Sequence, residues 1–154
     1  MLILDNMKIE RMNHEHINEL VDLEKECFSR PWSRSGFENE LENDTAYFFV
    51  AVYENQIIGY IGTHIVAGEC YIANIAVLPE FRRRSAASLL LKKAFEVCHE
   101  KSAEFISLEV RVSNMNAINL YRKFDFKAVG ERKNFYSCPT ENALIMTHFF
   151  DTEI

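Results

Sequence analysis

Three prolines and five glycines are all that punctuate this 154-residue chain, and no stretch is rich in either. A linker between domains has nowhere to sit and no repeat is visible, so one folded unit over 1–154 is expected. No apolar run approaches the ~18 residues of a membrane span. The opening MLILDNMKIERM holds a short apolar run and then charges, so no secretory leader is expected. An excess of basic residues is also lacking: 17 Lys and Arg face 23 Asp and Glu, a net charge of −6. That argues against broad binding to nucleic-acid phosphates. The four cysteines, Cys27, Cys70, Cys98 and Cys138, include no C-x-x-C pair, which removes the usual basis for zinc or a dense disulfide framework. His14, His16, His64, His99 and His148 form no helical pair or cluster, and no metal ligand is assigned. These absences lead to the expectation of a reducing, cytoplasmic setting without membrane or nucleic-acid partners.

What is present is a globular composition, 48% hydrophobic and 26% charged. Met7 to Met12 reads as a short strand. Asn13 can cap a helix reaching about Cys27, with Ile17, Leu20, Val21 and Leu23/Glu24 at helical apolar spacing. After the loop Ser29 to Ser33, Ser33 or Ser35 can cap a second helix ending near Asn43, and Ser35 with Glu38 fits a capping box. Ala46 to Tyr53, Gln56 to Val66 and Cys70 to Val77 follow at hairpin spacing, which predicts an antiparallel run. Pro79 ends it, and an amphipathic helix is predicted from about Ser85 to Lys101. Phe105 to Val110 is then reached by a helical crossover and should lie parallel to the strand before it. A short helix near Asn116 to Lys123, capped from Ser113 or Asn114, and strands near 127–134 and 143–150 complete an α+β pattern.

The junction IAVLPEFRRRSAASLLL joins a strand end, a basic turn and a helix start. Unpaired amides at a helix N-terminus bind phosphate, and Arg82, Arg83 and Arg84 would strengthen that field. A solvated basic turn has the same sequence features.

The segment Arg82-Arg83-Arg84-Ser85-Ala86-Ala87 resembles the acetyl-CoA signature of the GNAT superfamily, Gln/Arg-x-x-Gly-x-Gly/Ala, with Ser85 in place of the first glycine. Further along, Leu108-Glu109-Val110-Arg111, Ser113-Asn114 and Tyr121-Arg122-Lys123-Phe124-Asp125-Phe126 resemble the family's next block, with Asp125 at a usual glycine. Within the superfamily the chain is most similar to the ribosomal-protein alanine N-acetyltransferases, the RimI type. The resemblance rests on Phe28-x-x-Pro31-Trp32-Ser33, Asn74-Ile75-Ala76-Val77, Leu108 to Arg111 and Arg132-Lys133-Asn134-Phe135-Tyr136.

The resemblance implies a mixed, mostly antiparallel sheet flanked by helices, with one parallel strand pair splayed to hold acetyl-CoA. It assigns Glu109 as general base and Tyr121 as general acid to the leaving thiolate. Ile75, Ala76 and Val77 would hold the pantetheine arm, Arg82 belongs to the coenzyme motif, and Arg83, Arg84, Ser85, Ala86, Ala87 and Ser88 would cradle the pyrophosphate. Asn114 would touch the coenzyme or serve as a helix cap. Trp32 and Tyr136 would line the acceptor groove or pack as ordinary aromatics. The implied acceptor is the N-terminal alanine of the eighteenth small-subunit ribosomal protein. Transfer to a small polyamine or a lysine, and a degenerate binding module, are the alternatives the sequence leaves open.

Overall fold

The structure is a computed structural model that describes residues 6–151. Along the chain run β1 (Lys8–Arg11), α1 (Ile17–Cys27), α2 (Arg34–Glu42), β2 (Ala46–Tyr53), β3 (Gln56–Val66), β4 (Glu69–Val77), α3 (Ala86–Glu100), β5 (Phe105–Arg111), α4 (Met115–Lys123), β6 (Lys127–Tyr136) and β7 (Glu141–Phe149). The strands form one sheet in the order β1-β2-β3-β4-β5-β7-β6. Every neighbouring pair is antiparallel except β4 and β5, which are parallel across the α3 crossover.

Alternation along β2 shows how the sheet is covered. Phe49 and Ala51 pack with Leu90, Leu91 and Ala94 of α3, whereas Phe48 and Val50 pack with Leu20 and Leu23 of α1 and Phe37 of α2. Successive strand residues point to opposite faces, so α3 covers one face and α1 and α2 the other. Glu54 and Asn55, both at positive φ (50° and 63°), turn β2 into β3. A turn of that kind suits the right-handed twist of the strands it joins. Gly62 is required for a different reason: a Cβ there would lie 2.3 Å from the Phe48 ring, which crosses it from β2.

Two irregularities shape the middle of the sheet. Gly62 pairs with Asn74 but Thr63 pairs with Ile72, so Ala73 is an extra residue in β4. Such a bulge bends its strand. β4 then pairs with β5 only through Glu69↔Phe105, Cys70↔Ile106 and Tyr71↔Ser107, while β5 stays paired with β7 as far as Arg111. Beyond Tyr71 the two parallel strands part and the sheet opens.

Some boundaries differ from the sequence expectation. Asn13 caps a single 3-10 turn, His14–His16, that leads into α1. Ser33 caps α2, its Oγ accepting from the Gly36 amide, because Ser33 has the extended backbone a cap needs. The Ser35–Glu38 capping box does not form: Ser35 Oγ lies 3.0 Å from Ser33 Oγ, and Glu38 pairs with Arg34 at 2.8 Å. β6 continues to Tyr136, with its register broken between Arg132↔Ala143 and Tyr136↔Glu141.

Candidate active site

The parting of β4 and β5 is the mouth of an open cleft of about 550 Å³. Its walls come from the end of α1 and the loop after it (Cys27 to Arg30, Trp32), the bulged part of β4 (Ile72 to Ile75) and β5 (Leu108 to Arg111). Asn114, Tyr121 and the turn from Phe135 to Pro139 complete it.

The cleft passes through the sheet rather than lying on it. Leu108 and Val110 are buried against the α3 side, so Glu109 between them points to the opposite face. Tyr121 reaches the cleft from the α3 side, where it is 5% exposed and its ring lies 5.7 Å from Phe126. A carboxylate and a phenol thus line one opening from opposite sides. Glu109 Oε1 accepts from Arg132 Nε on β6 at 3.1 Å. Both side chains are substantially exposed, so the pair adds little stability.

Burial pushes the Tyr121 hydroxyl well above the ordinary phenol value, and nearby Tyr136 adds to the rise. Burial, then the charge of Glu109, push Tyr136 up to about 12, against a lowering influence from Arg111. Both phenols therefore hold their protons at neutral pH. Arg111 fixes the far wall: its guanidinium stacks 4.5 Å from the Tyr136 ring centre and donates to the carbonyls of Pro139 (2.9 Å) and Ser137 (3.1 Å). Glu141 closes the arrangement, accepting from Arg111 at 3.2 Å and from the Ser113 amide at 2.7 Å. Asn114 Oδ1 accepts from Ala117 N at 3.2 Å, so Asn114 is both the cap of α4 and a cleft residue.

Of the residues singled out in the sequence, Trp32, Ile75, Glu109, Asn114, Tyr121 and Tyr136 meet at the cleft. Ala76 and Val77 continue β4 beyond it and are buried. Arg82 is turned back on the fold: its Nε donates to the Val77 carbonyl at 3.0 Å, which also receives the Cys27 thiol at 3.6 Å. Arg83 and Ser85 have left-handed backbones (φ 62° and 68°), and Ser85 leads directly into the 15-residue α3. Ala86 is buried at the start of that helix and Arg84, Ala87 and Ser88 are half-buried around it. Asp125 also has positive φ (61°). The two positions where the family usually has glycine thus keep glycine's conformation with other residues. Asp is among the side chains that tolerate it best.

The apolar stripe of α1 includes one acid to which the sequence assigned no role. Glu24, on the face of α1 that packs on the sheet, is 0% exposed. It accepts from the Trp32 amide (2.8 Å), the Tyr60 hydroxyl (2.7 Å) and Asn74 Nδ2 (3.1 Å). Burial raises its pKa despite the lowering effect of the Trp32 and Tyr60 bonds. The available signal was its spacing: Glu24 follows Leu20 by four residues on an otherwise apolar stripe. The pairings of Arg132, Arg111 and Glu141 were likewise unassigned, because their partners lie 23 to 30 residues away.

A sheet parted between two parallel strands, with a basic turn feeding the crossover helix beside the opening, is the architecture of an acetyltransferase. Residues 17–126 match the Acetyltransferase (GNAT) family, and the chain belongs to it. Among curated proteins it is 41% identical over 139 residues to a putative [ribosomal protein bS18]-alanine N-acetyltransferase of Bacillus subtilis, covering 90% of this chain and 92% of that protein. It is 35% identical to the [ribosomal protein bS18]-alanine N-acetyltransferase of Haemophilus influenzae, covering 82% and 88%. The crystal structure of the ribosomal-protein-S18-alanine N-acetyltransferase from Escherichia coli superimposes with a TM-score of 0.88 at 24% identity, over 96% of each chain. That last likeness establishes the fold.

Proposed function

We propose that this protein transfers the acetyl group of acetyl-CoA to the α-amine of the N-terminal alanine of ribosomal protein bS18. The observation that carries the reading is the cleft through the sheet, lined by Glu109 from one face and Tyr121 from the other. The acceptor named for the Bacillus and Haemophilus relatives supports the choice of substrate.

The residues fit the coenzyme. Past Tyr71, β4 no longer pairs with β5, and this open edge at Ile75 to Val77 suits the amides of a pantetheine arm. The turn holding Arg83 and Arg84 runs straight into α3, where the first helical amides favour an anion. Bound there, acetyl-CoA supplies the thioester.

An amine attacks that thioester only when neutral, and a peptide α-amine has a pKa of about 7.7–8.0. Glu109, held by Arg132, accepts its proton directly or through water. A backbone N–H such as that of Val77 polarises the thioester carbonyl as charge develops on its oxygen. Tyr121, protonated at neutral pH, gives its proton to the departing thiolate. Trp32 and Tyr136, which both line the cleft, hold the peptide.

The test is mass spectrometry of an alanine-starting, arginine-rich peptide incubated with protein and acetyl-CoA, beside the same peptide with a blocked N-terminus. One added acetyl group on the free peptide alone is expected. Acetylation of both peptides would indicate a lysine acceptor and overturn the reading.

A further inference from the structure

We infer that the buried Glu24 carboxylate is a positioning residue for the acceptor side of the cleft, holding the loop that carries Trp32 in register with β4; this rests on the acetyltransferase reading above. Glu24 does not touch the cleft, but two of its three partners do. Trp32 takes its position through a backbone N–H donated to Glu24 Oε1 at 2.8 Å, and Asn74 through Nδ2 donated to Oε2 at 3.1 Å. Tyr60 locks the second oxygen at 2.7 Å and is itself 2.9 Å from Asn74 Nδ2. Asn74 Oδ1 accepts from the Ile75 amide at 3.0 Å, which carries the tie into the β4 backbone beside the coenzyme edge.

Chemistry separates this role from plain stabilisation. A carboxylate with no exposed surface is a poor means of holding a core together, since its desolvation consumes most of what its bonds return. Apolar groups would serve α1 better on that side of the sheet, where Leu20 and Leu23 of α1 join Phe37 and Phe48 in one buried cluster. What an apolar group cannot do is accept from three donors on three separate segments at once. The loop from Phe28 to Ser33 has no regular secondary structure. Trp32 packs on Phe37 (5.4 Å) and Phe48 (5.9 Å), but those ring contacts permit sliding, whereas the hydrogen bond its backbone N–H donates to Glu24 is directional and fixes the backbone that carries the indole.

The experiment uses the full chain with Glu24→Gln. Glutamine keeps the volume but presents one acceptor and a donor that conflicts with Asn74 and Tyr60. The peptide KM is expected to rise about tenfold, the equivalent of one charged hydrogen bond, while the KM for acetyl-CoA stays within about twofold. Trp32 is the single tryptophan, so its fluorescence reports the loop without turnover, and acrylamide should quench it more strongly in the variant. Should Glu24→Gln not fold, Tyr60→Phe removes one donor and should give a smaller change of the same kind, about threefold in peptide KM. An unchanged peptide KM with wild-type quenching overturns the inference. So does an equal rise in both KM values with no change in quenching. If wild-type protein acetylates no peptide, the substrate reading fails, and the quenching comparison still decides the role of Glu24.

Discussion

Replacing Glu109 with glutamine separates its proposed chemistry from its structural surroundings. The side chain is about one-third exposed and its partner Arg132 more so. Losing this ion pair should cost under ~1 kcal/mol, and the variant should melt close to the wild type. Its effect on rate should be large and should depend on pH. At pH 7 only about a tenth of a peptide α-amine is neutral, and at pH 9 about nine-tenths is. An enzyme that removes the proton itself is indifferent to that change, whereas one without a base must wait for the neutral fraction. The expected loss in kcat/KM for the peptide is about 10²-fold at pH 7, the low end for general-base catalysis. It should shrink by nearly tenfold by pH 9, as the solution takes over the deprotonation. The assay is release of free coenzyme A thiol at subsaturating peptide, from pH 6.5 to 9.5. A deficit of constant size across that range would refute the argument, because the carboxylate would then act on something other than the amine's proton. No deficit at pH 7 would refute it more simply.

Two further outcomes follow from packing and titration. Gly62→Ala puts a methyl group into the Phe48 ring and through it against Trp32, so it should cost about 1–3 kcal/mol and lower the melting temperature by roughly 3–10 °C in calorimetry. Glu24 and Glu141 should give opposite slopes to stability against pH. Burial lifts the pKa of Glu24, so its contribution is full below the unfolded value of about 4.3 and is lost as pH rises through the folded value. Hydrogen bonding from Ser113, with help from Arg111, lowers that of Glu141, so its contribution is present above about 4.3 and is lost as pH falls through the folded value. Melting curves from pH 3 to 8 should show Glu141→Gln flattening the acid side and Glu24→Gln flattening the rise-through side.

Much of this fold is legible from periodicity because the central strands are joined by short turns or by one helical crossover. The β2–β3–β4 meander follows from short turns between apolar runs, and the parallel β5 follows from the helix that must return the chain across the sheet. The outward direction of Glu109 follows from Leu108 and Val110 on either side of it. The opening itself was read from resemblance, since its physical cause is an extra residue at Ala73 and a ladder that stops at Tyr71, neither of which leaves a mark in composition. The capping box at Ser35 failed because two serines competed for one helix start and the backbone of Ser33 decided the outcome. Arg132 on Glu109 and Arg111 on the Ser137–Pro139 turn are long-range pairings set by the β6–β7 hairpin, and a charged residue on a strand gives no sign of its partner. Glu24 differs from these: an acid on the buried stripe of α1 implies a buried set of donors, and only their identity required the fold.

The most direct test of the through-sheet site is calorimetric binding of a bisubstrate conjugate, an alanine-starting peptide whose α-nitrogen is joined through an acetyl bridge to the sulfur of coenzyme A. If coenzyme and peptide meet in the cleft between Glu109 and Tyr121, the conjugate should bind about 100-fold or more tighter than coenzyme A alone, because joining the two makes the second contact intramolecular. Affinity no greater than that of coenzyme A would mean that the peptide has no seat opposite the thioester, and would contradict the account.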